Sequence, residues 1–297
     1  MKSVPGYTKV LTLGSAYTEN ALIGDVIVQE KVDGSQFSFG TNEDGELVMR
    51  SKGQELFSNN FAPMFEKCVK YVTSLKLEVP PDTYFYCEYL QRPKHNTLKY
   101  AKEPLNNLIL FDVLTSGRLV DRPALIDWAT KLNIDIISEL FRGPVDVEKI
   151  KSFLTAESFL GGELIEGVVI KNYAQTIFLG GKVTPLFTKY VREDYKERNA
   201  DEWKTKKSGG NIPEFITSFN SPARWEKAII HAKEKGELSV SPKDIGMLMK
   251  MVAEDVREEE SENIKNHLYN FYIDDILRAS VRGLPEWYKN KLLENLK

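Results

Sequence analysis

The chain has 297 residues, 42% hydrophobic and 28% charged, with a formal net charge of −3. This composition excludes global disorder and allows one large domain or two ordinary ones around a sizeable core. No overall positive field advertises a nucleic-acid partner, although a local basic groove is compatible with a near-neutral protein.

Cys68 and Cys87 are too few for a disulfide framework and lack metal-ligand spacing, which points to a reducing compartment. The opening MKSVPGYTKVLTL carries no apolar or basic amphipathic leader. No segment approaches the roughly 18 unbroken apolar residues of a membrane span. Cytoplasmic residence, no membrane contact and a monomer are the expectations.

Up to about residue 200 the chain reads as strands separated by turns. Asp25 to Val32 is rich in branched residues, followed by Asp33-Gly34 and an alternating Gln36 to Phe39; Glu43-Asp44-Gly45-Glu46 then leads into Leu47 to Arg50. An Asp-Gly pair between alternating runs predicts a hairpin at both places. Further strands are expected at Tyr84 to Leu90, Leu108 to Val113, Gly167 to Lys171 and Leu186 to Val191. Helical spacing appears over Ala62 to Leu75, over Arg122 to Leu132 behind the cap Asp121, and over Val147 to Phe159. Beyond residue 200 the strand signals stop. A polar linker over Asp201 to Ile212 precedes amphipathic patterns at Pro213 to Lys235, Pro242 to Glu260, Asn263 to Ala279 and Pro285 to Leu296. Ser241-Pro242 offers an N-cap followed by a first-turn proline. The expected fold class is α+β: an antiparallel-sheet domain over residues 1–200, then a small all-helical domain over residues 201–297.

Glu30-Lys31-Val32-Asp33-Gly34 suits either an ordinary hairpin with an exposed lysine or a lysine aimed into a cleft beside a tight turn. A lysine attacks phosphorus only as the free amine, so its pKa must fall from about 10.4. Met49-Arg50-Ser51-Lys52 ends the next strand with two cations. Tyr84 to Leu90 places one acid, Glu88, in an aromatic and apolar strand, where charges seldom lie without a partner. Leu108 to Val113 offers Phe111 as a flat surface for a base. Glu166 to Lys171 puts an acid and a lysine at opposite ends of an apolar strand, and Phe187 to Arg192 brings another pair of cations. Taken singly, each has an ordinary reading as a core residue or a solvated charge.

Together, EKVDGS, MRSK, CEYL, LILFDV, EGVVIK and FTKYVR occur in the order of motifs I, Ia, III, IIIa, IV and V, and the chain resembles the covalent nucleotidyltransferase superfamily. Within it, RPKHNTLKY and KYVREDYKERNADEW are similar to ATP-dependent RNA ligases of the RNA ligase 2 type. The resemblance covers roughly the first two-thirds of the chain. It implies Lys31 as the nucleophile that forms lysyl-AMP, Glu30 at the adenine edge largely through main chain, and Arg50 near ribose and phosphate. It implies Glu88 at the ribose hydroxyls and, through water, at the metal, with Phe111 stacked on adenine and Glu166 as the metal-binding acid. Lys171 and Lys189 match cations that hold the α- and leaving phosphates. Motif V usually supplies two lysines two residues apart, yet Phe187 and Val191 flank Lys189 at that distance; Arg192 or Lys182 stands as the substitute, or one phosphate contact is absent.

The implied activity is ATP-dependent joining of 5′-phosphate and 3′-hydroxyl RNA ends or nicks, with Mg²⁺ (or Mn²⁺), which keeps waters and needs few carboxylates. A bare carboxylate near Lys31 would raise its pKa and a bound cation would lower it, so metal binding is expected to make the amine nucleophilic. A DNA ligase or GTP-using capping enzyme ordinarily adds an OB-fold and an RxDK-like motif, neither of which is read in residues 201–297. A catalytically silent nucleic-acid-binding protein is the non-enzyme alternative. The helical segment reads as a structural cap or as a nucleic-acid clamp. The clamp would use Lys204, Lys206, Lys207, Arg224, Lys227, Arg278 and Arg282. His95, His231 and His267 show no ligand spacing.

Overall fold

The computed structural model describes residues 3–15, 17–75, 79–179, 181–192 and 212–294. Two mostly antiparallel sheets form its N-terminal part. Sheet A has the order β1 (Leu11–Thr12), β12 (Lys182–Val191), β11 (Gly167–Leu179), β2 (Val26–Lys31), β10 (Glu139–Gly143). Sheet B runs β5 (Glu55–Leu56), β4 (Leu47–Ser51), β3 (Ser35–Thr41), β6 (Thr83–Tyr89), β7 (Leu108–Thr115), β8 (Arg118–Leu119), with β9 (Asp135–Ile136) also on β7. Helices α1 (Glu66–Ser74), α2 (Arg122–Lys131) and α3 (Val147–Phe153) pack against them. The helical part contains α4 (Ile212–Thr217), α5 (Pro222–Glu234), α6 (Ile245–Ser280) and α7 (Leu284–Glu294). This is the expected α+β class. The linker, and with it Lys204, Lys206, Lys207 and the boundary at residue 200, lies outside the described residues.

Period-two alternation sorts side chains between core and site. In β6, Phe85, Cys87 and Tyr89 enter the main core with Phe37, Phe65, Val69 and Leu125. Tyr84 and Tyr86 turn to the opposite face, and alternation places Glu88 with them. In sheet A, Val26, Val28, Val168 and Ile170 bury against Ile150 of α3. Cross-strand partners share a face, so Lys31 opposite Gly167, Val169 opposite Lys189, and Lys171 opposite Phe187 all lie on the other face. Both cysteines are buried thiols within the main core.

Three sequence expectations about connectivity are corrected. Asp33-Gly34 does not close a hairpin: β2 pairs in sheet A and β3 in sheet B, so Val32–Gly34 carries the chain from one sheet to the other. The Asn42–Glu46 turn is a true hairpin, with Thr41 opposite Leu47 and Gly45 at φ 79°. The two patterns over Pro242 to Ala279 form one continuous helix, α6, behind a 3₁₀ turn whose Ser241–Asp244 capping box satisfies its first N–H groups. Conversely, Pro213 to Lys235 is split into α4 and α5, the second capped by Ser221 and started by Pro222. Among the described residues no helix is long and apolar enough to cross a membrane.

Candidate active site

The chain's crossing between sheets puts the end of β2 beside the start of β11 and the end of β6. Gly167 pairs with Lys31, so the preceding Glu166 emerges at the same edge. The Lys31 ammonium donates to both carboxylate oxygens of Glu166, at 2.7 Å and 2.6 Å. Gly167 is required here because a Cβ would lie 2.5 Å from the Tyr190 carbonyl oxygen and 2.8 Å from the Val191 Cα. Gly34 is required by packing and not by φ: a Cβ would meet the Glu88 Cγ at 2.8 Å and the Tyr89 carbonyl oxygen at 2.8 Å. Gly34 thus lets the end of β2 close on β6, which carries Glu88, and Gly167 lets the strand behind Glu166 close on β12, which carries Lys189.

Charge at this junction is strongly one-sided. Burial by itself would lower the Lys31 pKa, but the carboxylates of Glu166, Glu88 and Asp33 outweigh it and hold the ammonium above the ordinary lysine range. Burial first, then the nearby Glu166, Asp33 and Glu234, pushes Glu88 up to about 8 despite the attraction of Lys31. Carboxylates crowded this way suit a divalent cation, which would relieve their repulsion. Among the described residues no group of three or more His, Cys, Asp or Glu side chains is poised to hold a metal by itself.

The loop after Lys31 is held by residues 91–100. Thr97 and Leu98 N–H groups donate to Asp33 at 2.7 Å and 2.8 Å, Asn96 donates to the Gly34 carbonyl at 2.7 Å, and the Asp33 N–H donates to the Tyr100 hydroxyl at 2.7 Å. His95 accepts from the Gln91 N–H through Nδ1, so its Nε2–H donates to Ser35 Oγ at 2.9 Å. The Ser35 hydroxyl in turn donates to Glu234 at the end of α5.

Each remaining candidate can be placed. The register of β6 and β7 skips Phe111, a bulge that re-aims its half-buried ring toward Tyr7 and Tyr86. The buried Glu30 carboxylate accepts from Ser158 and from the Phe159 N–H, so that side chain is committed to its own structure. Arg50 donates to the carbonyls of Val4, at 3.0 Å, and Ser51. Lys171 is not poised toward an open cleft: it is buried, donates to Asp112 at 2.7 Å and to the Phe111 carbonyl at 3.0 Å, and burial lowers its pKa. Tyr7 donates to the same Asp112. Asp112 was overlooked in the sequence, although a charge inside the apolar LILFDV is the same signal that singled out Glu88.

Lys189 lies in the field of Glu166 and also of Glu259 on α6. Lys52 pairs with Glu259 at 3.8 Å, and Lys9 donates to the Glu258 carbonyl at 2.9 Å. Where the second motif V lysine is expected, Phe187 is buried beside Tyr173. Of the two substitutes, Lys182 starts β12, roughly 20 Å along the strand from Lys189. Arg192 is adjacent: its backbone N–H donates to the Glu166 carbonyl at 3.0 Å.

The clamp cations divide. Arg224 is fully buried and pairs with Asp255 and, at 3.0 Å, with Glu260; Lys227 pairs with Asp255 at 2.7 Å. Both join α5 to α6 instead of facing a ligand. Arg278 and Arg282 are exposed. His267 stacks on Phe215 at 3.8 Å.

An archaeal ATP-dependent RNA ligase has a similar structure at 16% identity and TM-score 0.44, covering 88% of this chain and 66% of that one. A Naegleria gruberi RNA ligase with PPi matches at 16% identity and TM-score 0.46, covering 65% and 57%. A putative ATP-dependent DNA ligase from Aquifex aeolicus matches at 18% and 0.44, covering 88% and 66%. The chain thus spans 66% or less of the length of these solved structures. Among curated proteins none matches. The RNA ligase family profile matches residues 24–191, from just before β2 to the end of β12 and therefore across every motif of the site; the chain belongs to the RNA ligase family.

Proposed function

We propose that this protein is an ATP-dependent RNA ligase that acts as a monomer in the cytoplasm and joins 5′-phosphate and 3′-hydroxyl ends through an adenylyl group carried on Lys31. The observation that carries this reading is the Lys31 ammonium held on Glu166 where two sheets meet, within the region that defines the family.

In this reading the Lys31 amine attacks the α-phosphorus of ATP, a phosphorus–nitrogen bond forms, and the bond to pyrophosphate breaks. Glu166 holds the ammonium in place, and its proton leaves to solvent before attack, because only the free amine carries the lone pair. Glu166 and Glu88 are the residues that would hold a divalent ion, Mg²⁺ or Mn²⁺, which when bound supplies positive charge to the phosphates and competes with the ammonium for the carboxylates. Lys189 and the adjacent Arg192 face the negative charge that grows on the departing oxygens, and such fixed charges are the main contribution of a protein to phosphoryl-type transfer. Phe111 offers its ring to the base. The adenylyl group then passes to an RNA 5′-phosphate, and attack by a neighbouring 3′-hydroxyl expels AMP and seals the junction. The described residues after 211 are helical, which supports the RNA ligase branch over ligases and capping enzymes that carry an OB-fold there.

The test is labelling with ATP, GTP and NAD in turn. ATP with a divalent ion should leave an AMP-sized adduct that is stable to alkali and released by acid, as a phosphoramidate is, on the wild type, and Lys31→Ala should abolish it while retaining the wild-type circular dichroism. Transfer from GTP alone, or equal labelling of the variant, would refute the assignment.

A further inference from the structure

A cavity of about 450 Å³ lies between the 91–96 segment and α5. Arg92, Lys94 and Asn96 line one wall, Lys233 and Glu226 the other, and His95 is also part of the lining. Three cations therefore face one carboxylate across a space within the range of ligand sites. Arg92, Lys94 and Lys233 are exposed, and among the described residues none of them forms an ion pair. The Arg92 Nε donates to the Lys94 carbonyl at 3.0 Å, which keeps the two cations side by side. Burial first, and then Lys233 and Arg92, push His95 down to about 4. The histidine is neutral, so the positive field is that of the three cations.

Two features identify what fits. The lining offers three cations, and among the described residues no Phe, Tyr or Trp, so it fits a phosphate. The 91–96 wall is also the segment that grips the Lys31 loop, through Asn96 on Gly34 and His95 on Ser35. An anion here would sit beside the nucleotide site without entering it. The helix wall is tied to the same point by the Ser35–Glu234 hydrogen bond. A strand gripped between the two walls is thereby registered against the nucleophile.

We infer that the cleft formed by Arg92, Lys94 and Lys233 binds a backbone phosphate of the polynucleotide being joined, on the strand next to the reacting end. This inference rests on the RNA ligase reading and names a seat for its substrate.

The experiment measures binding of labelled nicked-duplex RNA across a salt series for the wild type, for Arg92→Ala/Lys94→Ala, for Lys233→Ala, and for a control that removes two exposed lysines elsewhere, Lys131→Ala/Lys151→Ala. The double cleft variant should bind roughly 10-fold more weakly, with a salt slope shallower by about 1 to 2, as expected for two lost phosphate contacts. Lys233→Ala should change the slope by roughly half as much, and the control should follow the wild type. Wild-type affinity and slope in the cleft variants, an equal loss in the control, or no RNA binding by the wild type would each overturn the cleft. ATP labelling separates the two claims. A wild type that binds RNA through the cleft but forms no adduct refutes the ligase chemistry alone. A cleft variant that loses the adduct along with RNA binding places these cations in the nucleotide site and refutes the inference.

Discussion

At the scale of single residues, Lys31 is an ammonium stabilised by the carboxylates around it. Under the proposed mechanism, its raised pKa means that adduct formation needs more than proximity, because the free amine is scarce at neutral pH until something competes for Glu166 and Glu88. Glu88 registers the same crowding. Its pKa of about 8 lies above the unfolded carboxylate value of about 4.3. Folding is therefore favoured by proton uptake at Glu88, a contribution present at low pH and lost as pH rises through 8. Glu88→Gln is permanently neutral, so without metal near pH 9 it should melt at least about 2–4 °C above the wild type; the gap should be much smaller near pH 5 and close near pH 4. Mg²⁺ should raise the wild-type Tm more near pH 9 than near pH 5, and should raise that of Glu88→Gln less. Differential scanning calorimetry at both pH values decides the matter; a variant that melts lower near pH 9 would show that Glu88 stabilises the fold by its charge.

At the scale of elements, α5 is joined to α6 by a buried network of ion pairs. Arg224, with a side chain at 0% exposure, bridges α5 to Asp255 and Glu260 on α6. Removing one partner of such a network leaves the others desolvated and uncompensated. Arg224→Ala should therefore lose about 3–5 kcal/mol of stability in urea unfolding. Arg278→Ala removes an exposed pair with Asp275, 77% and 69% accessible, and should fall within about 0.5 kcal/mol of the wild type. Comparable losses in the two variants would mean that the α5–α6 pairing contributes nothing special. Both arginines looked alike in the sequence as helix-borne cations available to phosphates, and only their partners separate them.

At the scale of the whole molecule, α6 docks on the sheet domain with an acid among lysines. Burial disfavours ionised Glu259, but Lys189, Lys227, Lys52 and Lys9 outweigh it and hold the pKa at about 2. This lies below the unfolded value of about 4.3, so the docking contribution is full above that pH and disappears as pH falls through 2. Glu259→Gln should melt about 2–4 °C below the wild type near pH 6, and the gap should narrow as pH falls through 4 and close near pH 2. A gap that persists in acid would show that Glu259 acts by packing and not by charge.

Much of this protein is local enough to be read from its residues. Strand alternation and the Asp121 and Ser241 caps depend on neighbours in the chain, so most elements, and Lys31, Glu88, Phe111 and Glu166 as candidates, are visible without coordinates. The partners of those elements are not. Which sheet a strand joins is decided by pairing between distant segments, and so Asp33-Gly34 looked like a hairpin and proved to be the passage between two sheets. Burial and ion pairing are likewise non-local. Tertiary structure alone turned Lys171 inward onto Asp112, locked Arg224 between two helices, and brought Glu234 to the serine beside the Lys31 loop, because a charge reveals its partner only when the chain has closed around both.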